Sequence, residues 1–308
     1  MNKPLMSSTE NLPSIAVIMA VHDGEAYLAE QIESIVAQRD VNVTIYVSDD
    51  RSSDSTMEIV REMSGVHHCI EILTECGQFG SPAGNFFSAI ELMSNFDSYD
   101  FIAFSDQDDV WVDCKLSRAV SALKDSGYAA YSSNVIVYGN KIKQGCTRKA
   151  GAQKQFDHFF ESAGAGCTFV LTQHAFKSLR QKVMDKKESI RLIDQWDWCC
   201  YAILREMGFK WIIDPIPGVM YRQHANNHFG AKASFASLCD RLRRVLSGWY
   251  GEQITNISRV ASGSDFFEGK SLLFSIQNCN QFRRHRFESW FVSFFMILRA
   301  VKSRRLDG

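Results

Sequence analysis

Four short apolar, β-branched runs lie in the first hundred or so positions, each followed by a polar turn, and they leave few folds open to this chain. The runs are Ile15 to Val21 (IAVIMAV), Val43 to Val47 (VTIYV), Cys69 to Leu73 (CIEIL) and Phe101 to Phe104 (FIAF). After the first, Leu28, Ile32, Ile35 and Val36 fall on one helical face. A second helix runs to about Met63 with Asp54 as its N-cap, and Gly84-Asn85 opens a third with Phe86, Phe87, Ile90, Leu92 and Met93 turned inward. Strands alternating with helices build βαβ units. The expected fold is therefore α/β, a mostly parallel central sheet flanked by helices. Later segments are less regular: strands are expected at Val135–Tyr138, Cys167–Thr172 and Lys210–Ile213, a helix over Asp194–Met207, and a polar surface excursion from Gly139 to Gln155.

In such sheets ligands bind beyond the carboxyl ends of the strands. Two acidic turns fall there, Asp49-Asp50 after the second strand and Asp106, Asp108 and Asp109 after the fourth, so both share one rim. Carboxylates crowded this closely repel one another unless a cation or water intervenes. A D-x-D turn can hold a hard divalent cation such as Mg²⁺ or Mn²⁺, which prefers oxygen ligands and completes its shell with phosphate. The competing reading is a solvated loop that caps the next helix with Asp109 or Asp113. The buried-looking strand before the turn and the aromatic after it favour ligation by Asp106 and Asp108, with Asp109 as the cap. An EF-hand does not fit, because Trp111 stands where glycine is required and Ser117 where glutamate is. Asp49-Asp50 reads either as an Asx turn before the helix or as acceptors for a nucleoside. Together the two turns point to a nucleoside diphosphate bridged by a metal.

Three further stretches carry candidate chemistry. Gly164-Ala165-Gly166 precedes a strand and lacks a third glycine, which excludes a dinucleotide fingerprint; Gly166 reads as letting the backbone approach a nucleotide-sugar or turn tightly. In DQWDWCCYAIL, Asp197 stands between Trp196 and Trp198, where partial desolvation raises a carboxylate's pKa and makes it a better base; a helix N-terminus whose acids complement the dipole is the alternative. In MYRQHANNH, Arg222 and His224 follow a short strand, and His224 is a candidate third metal ligand.

These pieces resemble the inverting glycosyltransferases of family two, with the nucleotide-sugar-binding A-type (Rossmann-like) fold, and within it a bacterial rhamnosyltransferase-like branch that builds surface polysaccharides. The resemblance rests on AVHDGEAYLAEQIESIVAQ, VSDDRSSDST, GNFFSAIE, FIAFSDQDDVW, GAGCTFVLT, DQWDWCCYAI and YRQHANN, in the family's order, over about residues 15–230. It implies that Ala20 and Val21 line the base, that Asp49 and Asp50 bind the nucleoside, and that Gly84 and Asn85 lie near the nucleotide. It further implies that Asp106 and Asp108 contact ribose and metal-diphosphate, that His224 completes the metal shell, and that Asp197 is the general base. Trp196, Trp198 and Arg222 are the weaker candidates for acceptor contact. Trp196 stands where relatives often carry His, and Ala225 where they often carry Gly. The implied donor is a dTDP-, UDP- or GDP-sugar, the cofactor Mn²⁺ or Mg²⁺, and the acceptor a glycan or lipid-linked hydroxyl, with no nucleic acid partner. A sugar-phosphate nucleotidyltransferase needs a basic glycine-rich loop after the first strand, where this chain has His22-Asp23-Gly24-Glu25. A non-catalytic nucleotide-sugar-binding module has no use for Asp197 or a metal.

Charge divides the chain. Residues 1–230 carry 21 Lys/Arg against 29 Asp/Glu, and 231–308 carry 13 against 6. The expected organisation is a flexible N-terminus (1–13), a catalytic domain (14–230) and a basic helical region (231–308). In that region Phe287, Trp290, Phe291, Phe294, Leu298 and Val301 keep a helical spacing between Arg283, Arg284 and Arg286 on one side and Arg299, Lys302, Arg304 and Arg305 on the other. Such a helix fits an anionic membrane surface, and the alternative is packing on the catalytic domain or on a homodimer partner. Nine scattered cysteines with no C-x-x-C pair read as reduced thiols, and no apolar h-region or run of about 20 apolar residues is seen. The expected location is cytoplasmic, peripheral on the inner face of the membrane.

Overall fold

A computed structural model describes residues 12–74, 77–139, 145–223 and 247–285. Strand β1 (Ser14–Val21) lies between β2 (Asn42–Asp49) and β4 (Phe101–Ser105), parallel to both, and β3 (Ile70–Thr74) continues beyond β2. All four start within two residues of the runs seen in the sequence. Beyond β4 the sheet turns mixed. Strand β8 (Val170–Thr172) runs antiparallel to β4 and to β6 (Ala130–Tyr138), and β9 (Trp211–Arg222) runs parallel to β6. Two short strands finish it, β5 (Val110–Trp111) on β9 and β7 (Gly145–Cys146) on β6, both antiparallel. The order is β3-β2-β1-β4-β8-β6-β9-β5, and the long ladders are the parallel ones.

Both faces of the sheet are covered, as parallel strands require. Alternate residues of β1 separate the two layers. Ile15, Val17 and Met19 meet α1 (Leu28–Val36), α2 (Thr56–Val66) and α4 (Lys115–Leu123). Ala16 and Ile18 meet α3 (Pro82–Leu92), α5 (Gln173–Asp185) and α7 (Trp196–Glu206), the last reached through the one-turn α6 (Lys187–Ile190). Helix α2 begins at Thr56, and the Asp54 carboxylate accepts from the Thr56 backbone N–H at 3.0 Å.

The strand expected at Lys210–Ile213 extends to Arg222 through Pro215 and Pro217. Residues 215–218 leave the ladder: Asp214 pairs with Ser133 and Val219 with Val135. Asn134 Nδ2 holds the excursion at the Pro215 carbonyl, 2.9 Å away, so neither proline interrupts a ladder bond. Helix α8 (Trp249–Ser262) packs on α7, and Ile254, Ile257, Val260, Phe266 and Phe282 join the same core as β1 and α3. Among the described residues, then, the expected division at 230/231 does not separate two cores. A last short helix, α9 (Leu272–Gln277), precedes Phe282. The aromatic stretch from Phe287 to Val301 and the arginines at 241, 243 and 244 lie outside the described residues. No described helix is long and apolar enough to cross a membrane.

Candidate active site

The carboxyl ends of β1, β2 and β4 converge on one rim, and polar side chains fix their turns to each other. Gln107, the middle residue of the D-x-D turn, reaches back to the chain after β1. Its Oε1 accepts from the His22 N–H at 2.7 Å, and its Nε2 donates to the His22 carbonyl at 2.8 Å. A Cβ on Gly24 would lie 2.5 Å from the Gln107 Oε1, so glycine is what this contact demands. Ser105 anchors the start of the turn, accepting from Gln31 Nε2 at 2.6 Å and donating to the Asp106 carbonyl at 2.8 Å. None of these positioning residues carries a pattern in the sequence.

Arg222 holds the other side of the turn. Its Nε donates to the Asp108 carbonyl at 2.9 Å and its backbone N–H to Asp109 Oδ1 at 3.1 Å. The guanidinium lies over the rings of Tyr27 and Tyr138 and pairs with Glu30. Arg222 therefore shapes the D-x-D turn, which corrects its expected place in acceptor binding. Asp109 is corrected too. Helix α4 starts at Lys115 after Cys114, whereas Asp109 is fully buried behind the turn and caps nothing.

Three acids are brought together on this rim. Asp106, half-buried, is pushed up to about 7 by burial and by the negative charges of Asp108 and Asp197. Asp197 sits in the first turn of α7, its Oδ1 accepting from the Trp198 N–H at 2.7 Å. Burial raises it to about 6, against the Trp198 N–H, the Ser162 hydroxyl and the Lys149 ammonium, which lower it. A carboxylate poised there is deprotonated at neutral pH yet basic enough to accept a proton. The cluster has excess negative charge and oxygen donors, which suits a hard divalent cation on Asp106 and Asp108. Behind it, ligand atoms of Asp106, Asp109 and Cys167 lie within 4.8 Å of one another. Burial and the two acids hold the Cys167 thiol well above its usual range, and burial likewise lifts Asp109. Buried Lys115 stands beside this trio with Nζ 3.3 Å over the Trp111 ring, and burial pushes it down to about 7.

Several expected ligand residues have structural roles. Asn85 is buried. Its Oδ1 accepts from Ser48 Oγ at 2.6 Å, and its Nδ2 donates to the carbonyls of Val21 and Ser48, tying β1 to β2. Val21 is a core residue, while Ala20 is half-buried. Asp49 is fully buried and accepts from the Ser52 N–H and hydroxyl; Asp50 Oδ1 accepts from the Phe79 N–H at 2.7 Å. A Cβ on Gly84 would lie 2.7 Å from the Phe79 carbonyl, so this glycine makes room for the chain itself. Gly166 makes room for Trp196, whose ring would lie 2.1 Å from an added Cβ. Trp196 stacks on Phe86 at 4.0 Å inside the core, and Trp198 donates its Nε1 to the His158 carbonyl at 2.9 Å and stacks on Tyr250. Neither indole is placed to touch an acceptor, because both are committed to packing. His224 lies outside the described residues.

Comparison with known proteins agrees with this geometry. The family model described as glycosyl transferase family 2 matches residues 16–186. A Shigella flexneri protein named dTDP-rhamnosyl transferase RfbG is 36% identical over 249 residues, 80% of this chain and 86% of that protein. The Escherichia coli UDP-Glc:alpha-D-GlcNAc-diphosphoundecaprenol beta-1,3-glucosyltransferase WfgD is 30% identical over 159 residues, 51% of this chain and 59% of that one. Among solved structures, S. aureus TarS 1-349 superposes with a TM-score of 0.52 at 13% identity, over 84% of this chain and 98% of its own, a likeness of fold.

Proposed function

The chain belongs to glycosyl transferase family 2, and from that premise we propose that it moves rhamnose or another hexose from a nucleoside-diphosphate donor to an acceptor hydroxyl with inversion. The observation that carries this reading is the meeting of Asp106, Asp108 and Asp197 on one rim of the sheet. The 36% identical relative puts dTDP-rhamnose first among the donors, and the glucosyltransferase WfgD puts lipid-linked diphosphate acceptors beside glycans. Such an enzyme serves bacterial surface-polysaccharide synthesis.

In this reading the Asp197 carboxylate takes the proton of the acceptor hydroxyl while that oxygen bonds to the anomeric carbon. The bond from this carbon to the diphosphate oxygen breaks, and the nucleoside diphosphate leaves from the opposite face. Asp106 and Asp108 would hold Mg²⁺ or Mn²⁺, which would supply Lewis-acid neutralisation of the diphosphate leaving group. Gln107 and Arg222 keep that turn in register with β1, and the Asp49-Asp50 turn with Ala20 receives the nucleoside. Membrane contact by the basic, aromatic-bearing C-terminal sequence would bring the enzyme to its lipid-linked acceptor.

The test is a panel of dTDP-, UDP- and GDP-sugars incubated with acceptor lipid extract and Mn²⁺ or Mg²⁺. Nucleoside diphosphate release should occur with one donor, stop with EDTA, and yield a product of inverted anomeric configuration by NMR. Release unaffected by EDTA removes the metal, and a retained configuration removes Asp197 as base.

A further inference from the structure

Arg284 is fully buried, far in sequence from everything it touches. Its Nη1 donates to Asp157 Oδ2 at 2.9 Å, its Nε to the Lys149 carbonyl at 3.1 Å, and its Nη2 to the Ser162 carbonyl at 2.5 Å. Its backbone N–H donates to Glu161 Oε1 at 2.6 Å. One residue thus gathers the segment from 149 to 162 at four points. That segment is the one packed against the start of α7. Asp157 accepts from Tyr201 Oη at 3.0 Å and Arg205 Nη1 at 3.1 Å, four and eight residues after Asp197 on the same helical face. The His158 carbonyl accepts from Trp198 Nε1, and the Trp198 N–H donates to Asp197. Two groups that act on the Asp197 carboxylate from outside its helix, Ser162 and Lys149, belong to residues whose carbonyls Arg284 holds.

We infer that Arg284 is a positioning residue for Asp197, clamping the 149–162 segment so that Ser162 and Lys149 face the carboxylate. This inference rests on the reading of Asp197 as base. It also moves Arg284 from the basic flank of a surface helix to the interior of the catalytic fold. The donor-binding turns follow other elements, β1, β2 and β4. Disturbing Arg284 should therefore slow the chemical step and spare donor binding.

The experiment uses the full chain with Arg284→Lys, Arg284→Met, Asp197→Asn and the double variant Asp197→Asn/Arg284→Lys. Lysine keeps a charge for Asp157 and loses the fork that reaches both carbonyls, so it serves if methionine does not fold. The expected result for Arg284→Lys is a kcat about 10- to 100-fold lower with donor KM changed less than about twofold and circular dichroism unchanged. In the Asp197→Asn background the same substitution should cost little more, since both act on one group. A kcat within about twofold of the parent for a folded Arg284→Lys protein overturns the inference. So does a fall in kcat matched by an equal rise in donor KM, or full additivity with Asp197→Asn. Near-normal kcat in Asp197→Asn alone instead sinks the base reading, which separates the two failures.

Discussion

Two clusters of buried acid lie against α7, and they are built on opposite principles. Around Asp157 a carboxylate with no exposed surface is met by Arg284, Arg205, the Tyr201 hydroxyl and His158. Burial raises this acid, but His158, Arg205 and Arg284 more than offset it, and its pKa ends below the ordinary range. Around Asp106 the acids face one another: burial and the charges of Asp108 and Asp197 raise Asp106, and burial raises Asp197. A protein that can neutralise one buried carboxylate with two guanidiniums leaves another group uncompensated only where a ligand or a reaction uses the charge. The first cluster holds the fold together, and the second is the proposed site.

The largest effect that can break this contrast is on rate. Asp197→Asn should lower kcat by about 10²- to 10⁴-fold while thermal melting stays at or above that of the parent, because the amide removes an unmatched charge. A rate near that of the parent would place the base elsewhere. At the other cluster, Asp157→Asn should cost about 3–5 kcal/mol of stability, read by urea denaturation, since it removes the carboxylate that two guanidiniums share. A loss under about 1 kcal/mol would mean that the network behaves like a surface pair.

The pH dependences should have opposite signs. Asp106 and Asp197 have folded values raised above their unfolded value of 3.8, so their contribution to stability is complete below about pH 4 and is lost as pH rises to about 7. Asp157, lowered, contributes above its unfolded value and loses that contribution as pH falls through its folded one. Added Mg²⁺ or Mn²⁺ should therefore raise the melting temperature more at pH 8 than at pH 5.5, where protons compete for Asp106. Asp108→Asn should abolish the difference; a shift that survives that substitution places the cation on other ligands. The smallest expected effect is that of Gln107→Ala. Two lost hydrogen bonds of about 1 kcal/mol each should raise donor KM several-fold and leave kcat nearly alone.

The parallel half of the sheet was readable because its strands are buried on both faces and announce themselves as continuous apolar runs. The acidic turns were readable because they follow those runs directly. What could not be read was register over distance. Nothing near Asp109 reveals that Arg222, 113 residues later, takes its carboxylate through a backbone N–H. The indole of Trp196 looked like a contact for a sugar because an aromatic beside an acid is the same letter whether it faces a pocket or a phenylalanine. Pro215 and Pro217 hide the length of β9, since the excursion of residues 215–218 that accommodates them is held from β6, by Asn134. Local patterns carried the donor rim, and long-range ones carried everything that positions the base.

The pair between Asp157 and Arg284 spans 127 positions, and this sets an order of events during synthesis. A nascent chain exposes the D-x-D turn, then Asp197, well before residue 284 leaves the ribosome, and domains fold from the N-terminus as they emerge. Until then Asp157 is missing one of the two guanidiniums that neutralise it, and the segment over α7 lacks its clamp. The D-x-D turn and Asp197 are both synthesised before the residue that clamps the segment over α7, so the clamp is set among the last steps of assembly. Chains broken off before that point carry the donor-binding turns without the clamped base that turnover requires.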